Sequence, residues 1–421
     1  VTAHVVFDLG FGDAGKGRLV DALVRRTGAR LVVRAHGGAQ AGHNVVTADG
    51  RHHTFASFGA GSFVPGVATH LGPEVVVHPL AMAVEARVLD AKGVPDVFAR
   101  TTIDARARVT TPFQQAAGRL RELARGDVAH GTCGVGVGET VADALAHGDG
   151  LTVADLRDPV RLRERLRAQQ ARKRAEFKRC PDHPLAGQEW DLLRADDAVD
   201  RVVGAWGAIA PRLRVSSPDE AAHHLASAPV VVFEGAQGVL LDETWGFHPH
   251  TTWSDCTPAS AFRLLRGSGR AVVRWAVTRS YATRHGPGPF PTAASDFVFP
   301  EPHNTGPSWQ GTFRQGPLDL VLLRYALAVA GGADHLAVTH LDRVSTSLPR
   351  VERYTDGTAT LDPGAPEDLG HRERLGLQLA SACGVRTAID GPRFAESLAD
   401  ALGVPLGFAA RGPAAGDETW A

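Results

Sequence analysis

Lys16 closes a run of glycines, GFGDAGKG from Gly10 to Gly17, set between the apolar residues Val5, Val6 and Phe7 and the apolar Leu19 and Val20. This order predicts a strand, then a loop whose backbone N–H groups can cradle phosphate, then a helix N-terminus. Gly10, Gly15 and Lys16 have the spacing of a phosphate-binding P-loop, yet Gly17 stands where such loops place the Ser or Thr that holds magnesium. Either the spacing is accidental or another group holds the metal, and Asp13 is the available carboxylate. Inside an anion-binding loop a carboxylate is repelled by bare phosphate, so it is expected to meet a cation or take a proton during a reaction.

Four further clusters are rich in glycine and polar groups. RAHGGAQAGHN, residues 34–44, carries His36, Gln40 and His43 just after an apolar run. A lone histidine is more often structural, but two histidines and an amide among glycines point to a site. GTCGVGVG, residues 131–138, offers a second backbone surface for an anion, although such glycines also serve tight turns. FEGAQGVLLD, residues 233–242, leads a strand into Glu234, Gln237 and Asp242, and YATRHGPGPFPT, residues 281–292, is a loop fixed by Gly and Pro.

The elements that must position these residues are those of a large α/β protein. Apolar, β-branched runs at 31–33, 75–77, 230–233, 272–277 and 336–338 predict buried, mostly parallel strands with function at their C-terminal ends. Helical patterns lie between several of them, including 80–89 and 318–329. The basic stretch 157–179 reads as a solvated helix with Glu164 and Glu176 interleaved. Residues 286–316 read as a long irregular segment of the kind that often carries function, and the tail after Gly412 as mobile, with 413–421 a flexible end to one catalytic domain.

Composition excludes several classes. With 421 residues, 43% of them hydrophobic, and a net charge of −1, the chain can bury a large core and shows no bias toward nucleic acid or acidic lipid. No apolar stretch approaches the roughly 20 residues that span a bilayer, and the N-terminal residues lack the pattern of a signal peptide, so a cytoplasmic protein is expected. Cys133, Cys180, Cys256 and Cys383 form no CxxC pair, against a zinc site or disulfide framework.

In order along the chain, FGDAGKGR, GGAQAGHN, GTCGVGVGE, FEGAQGVLLD, YATRHGPGPFPT, THLD and DGP resemble the motifs of the adenylosuccinate synthetase family. That resemblance implies a P-loop-like fold around a large, mostly parallel central sheet with flanking helices and long substrate loops. It implies a homodimer, GTP as co-substrate, Mg2+, and ligation of aspartate to a 6-oxopurine nucleotide. Asp13 would be the base and a metal ligand, His43 a donor to the oxygen that receives phosphate, Lys16 a phosphate partner, and the Gly42 carbonyl a second metal ligand. Gly12, Gly15, Gly17, Gly42, Asp342, His340, Gly391 and Pro392 would lie around GTP. Gln40, Thr132, Cys133, Gln237 and Thr252 would face the acceptor, and Arg314 and Thr312 the amino acid, with Gln310, His303 and Asn304 nearby.

Departures from the family pattern fall at the substrates. Ala14 replaces a glutamate, Gln40 an asparagine, Cys133 a threonine and His340 a lysine. Residues 140–156 contain no arginine where the family has one, and Ser308 to Arg314 keeps one arginine where several are usual. The main alternative is therefore a specialised homologue that uses GTP activation on another acceptor or amine. A phage-type guanylate-aminating relative is disfavoured by Asp13, and a GTP-binding regulatory protein by the joint presence of Asp13, His43 and Gln237.

Overall fold

The computed structural model describes residues 1–148, 150–302, 304, 309–344 and 346–421; His303 and Ser308 lie outside the described residues. Eleven strands among the described residues form one sheet. Ten of them run in the order Glu418–Trp420, Leu406–Ala410, His335–Thr339, Ala271–Arg279, Thr2–Asp8, Val230–Glu234, Leu31–Gly38, Ala68–Val77, Thr101–Asp104 and Arg214–Ser216. Arg108–Val109 pairs with Ala68–Val77 beside this path. Neighbours are parallel except at the Glu418–Trp420 edge.

Every apolar run expected to be a strand lies in this sheet, and most of their residues are buried. Val6 and Phe7 show the arrangement: Val6 belongs to one buried cluster, with Leu19, Val20 and Phe55, and Phe7 to another, with Leu320, Val321 and Tyr325. Successive strand residues point to opposite faces, so a strand covered by helices on both sides is apolar throughout.

The helix Lys16–Thr27 starts at Gly15, whose φ of 86° lies in the left-handed region, and buries Leu19, Val20, Leu23 and Val24. Helices at Pro79–Ala91 and Leu320–Val329 match the expected patterns, and the basic stretch forms Pro159–Ala175, capped by Asp158. That last helix is less solvated than its charge suggests, since Lys173 is buried among carboxylates.

Two segments differ from expectation. Within 286–316, Phe313–Gly316 pairs antiparallel with Ala282–His285. The supposed loose tail carries the strand Glu418–Trp420, because Trp420 packs on Phe408 and Trp275 with ring centroids 4.9 and 5.8 Å away. Arg18 further ties it down through the Ala414 carbonyl at 2.6 Å.

The parallel arrangement decides where the site lies. Five adjacent strands end at Thr339, Arg279, Asp8, Glu234 and Gly38, so the loops that follow them share one edge of the sheet.

Candidate active site

That edge opens into a cleft of about 2090 Å³. A pocket for one small ligand has roughly 300–1,000 Å³, so this cleft has room for more than one substrate. Gly12, Asp13, Gly15, Lys16 and Gly17 form its floor, and Gln40, Gly42 and His43 come from the next loop. Gln237, Thr252, Thr132, Cys133, His340 and Asp342 also line it.

The glycine loop is braced from below by Asp8, a residue that no sequence motif singled out. Its carboxylate accepts Lys16 Nζ at 2.8 Å and the N–H groups of Gly10 at 2.7 Å and Ala14 at 3.1 Å. Lys16 also donates to the Gln237 carbonyl, which joins the loop to the turn after Glu234. Asp13 and Gln237 both adopt positive φ, 61° and 58°. Non-glycine residues held in that region cluster at functional sites, where the surrounding structure maintains the strain.

Asp13 opens onto the cleft with His285 Nε2 3.3 Å from its Oδ2. Desolvation pushes its pKa up, but the His285 hydrogen bond and the charges of His285, Arg279 and Lys16 outweigh that, so the carboxyl lies below its ordinary value. Burial pulls the His285 imidazole down, while Asp13 and Asn304 raise it further, and the net shift is upward. His285 belongs to residues 281–292, a segment the sequence marks by its Gly and Pro content without pointing to this contact.

His43 is buried, and its Nδ1 is hydrogen-bonded to Glu234 Oε1. Burial lowers the His43 pKa more than Glu234 raises it. Burial raises Glu234, yet His43, Arg34 and the Ala60 N–H together bring it below its ordinary value. An ionised Glu234 accepts the Nδ1 proton, which leaves His43 Nε2, buried and without a described hydrogen-bond partner, as the ring atom available to a ligand.

The same packing explains Gly17. A Cβ there would stand 2.8 Å from His43 Cβ and 3.1 Å from the Asn44 carbonyl oxygen. The Ser or Thr of a P-loop cannot be accommodated unless His43 moves.

The residues expected to face the substrates are placed unevenly. Gln40 lines the cleft with both amide atoms buried and unpartnered among the described residues, and Thr312 lines it with Gln310 and Asn304. Arg314 does not line it: Nη2 donates to the carbonyls of Gly286 at 2.6 Å and Gly288 at 3.0 Å, and the guanidinium lies over Phe290. Phe313 and Gln315, its neighbours in the strand, line the cleft, and so does Arg284, its partner across the hairpin. Arg284, held by three backbone carbonyls, has its pKa lowered to about 9 by burial and by Arg314.

Gly391 and Pro392 likewise lie away from the cleft, whereas Ala410, Gly412 and Pro413 line it.

Arg314→Ala is accordingly expected to lower the melting temperature by several degrees, through loss of two carbonyl hydrogen bonds worth about 1 kcal/mol each, while changing the amino-acid KM less than about threefold. Thermal melts and steady-state kinetics check both; a large KM rise with an unchanged melt would restore Arg314 as a carboxylate anchor.

Among the described residues no helix is long and apolar enough to cross a membrane. The family model for adenylosuccinate synthetase matches residues 5–401. The adenylosuccinate synthetase of Chlorobium chlorochromatii (strain CaD3) is 31% identical over 440 residues, covering 99% of this chain and 96% of the relative. That of Myxococcus xanthus (strain DK1622) is 31% identical, covering 96% and 94%. The fold is that of the fully ligated adenylosuccinate synthetase from Plasmodium falciparum, with a TM-score of 0.76, 18% identity and 99% of both chains covered. The succinoaminodeoxyadenylate synthetase of cyanophage S-2L, solved with dGMP and dATP, matches with a TM-score of 0.62 and 18% identity, over 100% of this chain and 95% of that one.

Proposed function

The chain belongs to the adenylosuccinate synthetase family, and on that premise we propose that it is a GTP-dependent carbon–nitrogen ligase acting on a 6-oxopurine nucleotide of the inosine-monophosphate type and aspartate or a close analogue. The observation that carries this reading is the placement of Asp13, Lys16 and His43 around one cleft, with Glu234 buried behind the histidine. A plain GTP-binding module has no use for the last pair.

An amine cannot displace the 6-oxo group of a purine, because oxide is a very poor leaving group. Asp13 accepts the ring N–H proton of the purine, which makes the 6-oxygen nucleophilic toward the γ-phosphorus of GTP. The bond from that phosphorus to the β,γ-bridging oxygen breaks and GDP leaves. The amine then adds at carbon 6, and its departing partner is phosphate. Lys16 and the loop N–H groups oppose the charge that gathers on the phosphoryl oxygens.

His43 assists through Nε2. Because Glu234 holds the other ring nitrogen, Nε2 can donate only when the ring is protonated, and the arriving phosphoryl charge favours that state. Asp13 and the Gly42 carbonyl, both at the cleft, fit a hard oxygen-ligated ion such as Mg2+, which would neutralise charge on the transferred phosphoryl group. We place the acceptor against Thr132, Cys133, Gln237 and Thr252, and guanine against Asp342. The homodimer belongs to the same reading and is checked by sedimentation.

A product screen tests the reaction. Incubation with inosine 5′-monophosphate or inosine, GTP, Mg2+ and aspartate is expected to give a succinylated 6-aminopurine by mass spectrometry, with one GDP and one phosphate released per product. GTP hydrolysis with no nitrogen-linked product would defeat the ligase reading.

Nucleotide choice gives a further prediction. A carboxylate facing two guanine donors loses both with adenine, so Asp342→Asn is expected to reduce kcat/KM for GTP by roughly 100-fold and that for ATP little. Equal use of ATP and GTP by the unmodified protein refutes the role of Asp342.

A further inference from the structure

Asp8 ends the central strand Thr2–Asp8, and its side chain is fully buried at the foot of the glycine loop. A carboxylate in that position needs partners both for its lone pairs and for its charge. The N–H groups of Gly10 and Ala14 meet the lone pairs, at 2.7 and 3.1 Å. A neutral amide or hydroxyl oxygen could serve those two donors as well. The charge is a different matter, because the ion pair that Asp8 makes among the described residues is with Lys16, at 2.8 Å.

Gly10 and Ala14 are each held through both backbone polar groups, since the Gly10 carbonyl accepts the Leu240 N–H at 3.1 Å and the Ala14 carbonyl accepts Thr339 Oγ1 at 2.8 Å. Asp13 therefore projects from a short bend whose two ends are fixed. Lys16 is fixed as well. An ammonium has three N–H donors, and here Asp8 Oδ2 takes one and the Gln237 carbonyl another. Lys16 lines the cleft although it is only 3% exposed, so one N–H is left to meet a ligand.

We infer that Asp8 is a positioning residue for phosphoryl transfer, which aims the last N–H of Lys16 at a phosphoryl oxygen and sets the shape of the glycine loop before nucleotide arrives. This inference rests on the reading of the chain as a GTP-using ligase. Lysine carries its charge on a flexible stem, and an ammonium without internal partners follows phosphate in the ground state as readily as in the transition state. Asp8 offsets part of that ground-state attraction and keeps the direction. Its loss is therefore expected in turnover more than in affinity.

A double-mutant cycle on the full chain tests this, with GTP consumption in the presence of inosine 5′-monophosphate and aspartate, calorimetric titration with GTP, and thermal melts. Asp8→Asn is expected to lower kcat at least about tenfold while the Kd for GTP changes less than about threefold. In a Lys16→Ala background the same change should alter kcat less than about twofold, because Asp8 acts through that ammonium. It should also raise the melting temperature of Lys16→Ala, by removing a buried carboxylate left without its counter-charge. Near-normal kcat in Asp8→Asn, an equal loss in both backgrounds, or a loss confined to GTP affinity overturns the inference and leaves the ligase reading standing. If turnover of the Lys16→Ala variants is too low to measure, the melts decide: a double variant that melts below Lys16→Ala alone overturns it. Absence of GTP consumption by the unmodified protein overturns both.

Discussion

Asp13→Asn is expected to lower kcat for GTP-dependent ligation by at least about 100-fold, some 2.7 kcal/mol of barrier, as loss of a general base does. Asparagine is the informative replacement because it has the shape of aspartate and tolerates the left-handed backbone that Asp13 occupies at φ 61°. Folding should survive, and the hydrogen bond offered by His285 Nε2, 3.3 Å from Oδ2 in the native protein, can pass to the amide oxygen. What is lost is the capacity to accept the purine proton and one anionic ligand for Mg2+. GTP affinity, followed by fluorescence titration, should change far less than turnover, since Lys16 and the loop N–H groups remain. Near-normal turnover by Asp13→Asn would remove Asp13 from the chemistry and leave the loop as a binding element alone.

Gly17→Ser is the second large effect, and its sign separates two readings of the glycine loop. If the loop worked as an ordinary P-loop, serine at this position would supply a metal ligand and preserve or improve nucleotide turnover. The structure predicts the reverse. A Cβ at Gly17 would lie 2.8 Å from His43 Cβ and 3.1 Å from the Asn44 carbonyl oxygen, neither of which is the far end of a flexible side chain. His43 must then shift and weaken its hydrogen bond to Glu234. Loss of a well-placed transition-state donor costs about two to three orders of magnitude, so kcat should fall by roughly 100-fold, with a melting temperature several degrees lower from the overpacking. Retained turnover in Gly17→Ser would show that His43 is not needed where the structure holds it.

Much of the glycine-loop half of the candidate site was legible without coordinates. A strand, a glycine loop and a helix start are local features, and the α/β class followed from apolar runs of strand length separated by helical patterns. Long-range partners were not. Glu234 stands 191 residues from His43, and they meet because the strands Leu31–Gly38 and Val230–Glu234 are neighbours in the sheet. Glutamate at the end of an apolar strand was visible; its use as the acceptor for His43 was not.

The sequence by itself determined the strand, glycine loop and helix start around Lys16, the parallel α/β class and the family, because backbone conformation and hydrophobic period are set by near neighbours along the chain. Tertiary structure decided which of those residues share a surface. It engaged Arg314 with the carbonyls of Gly286 and Gly288, placed Gly412 and Pro413 rather than Gly391 and Pro392 at the cleft, set His285 against Asp13, and seated Glu122 against the N–H groups of Gly131 and Thr132. Each of these depends on strand order, on which residues a hairpin brings together, or on how two helices pack. A one-residue change of register reverses such an outcome while leaving the local signals unchanged.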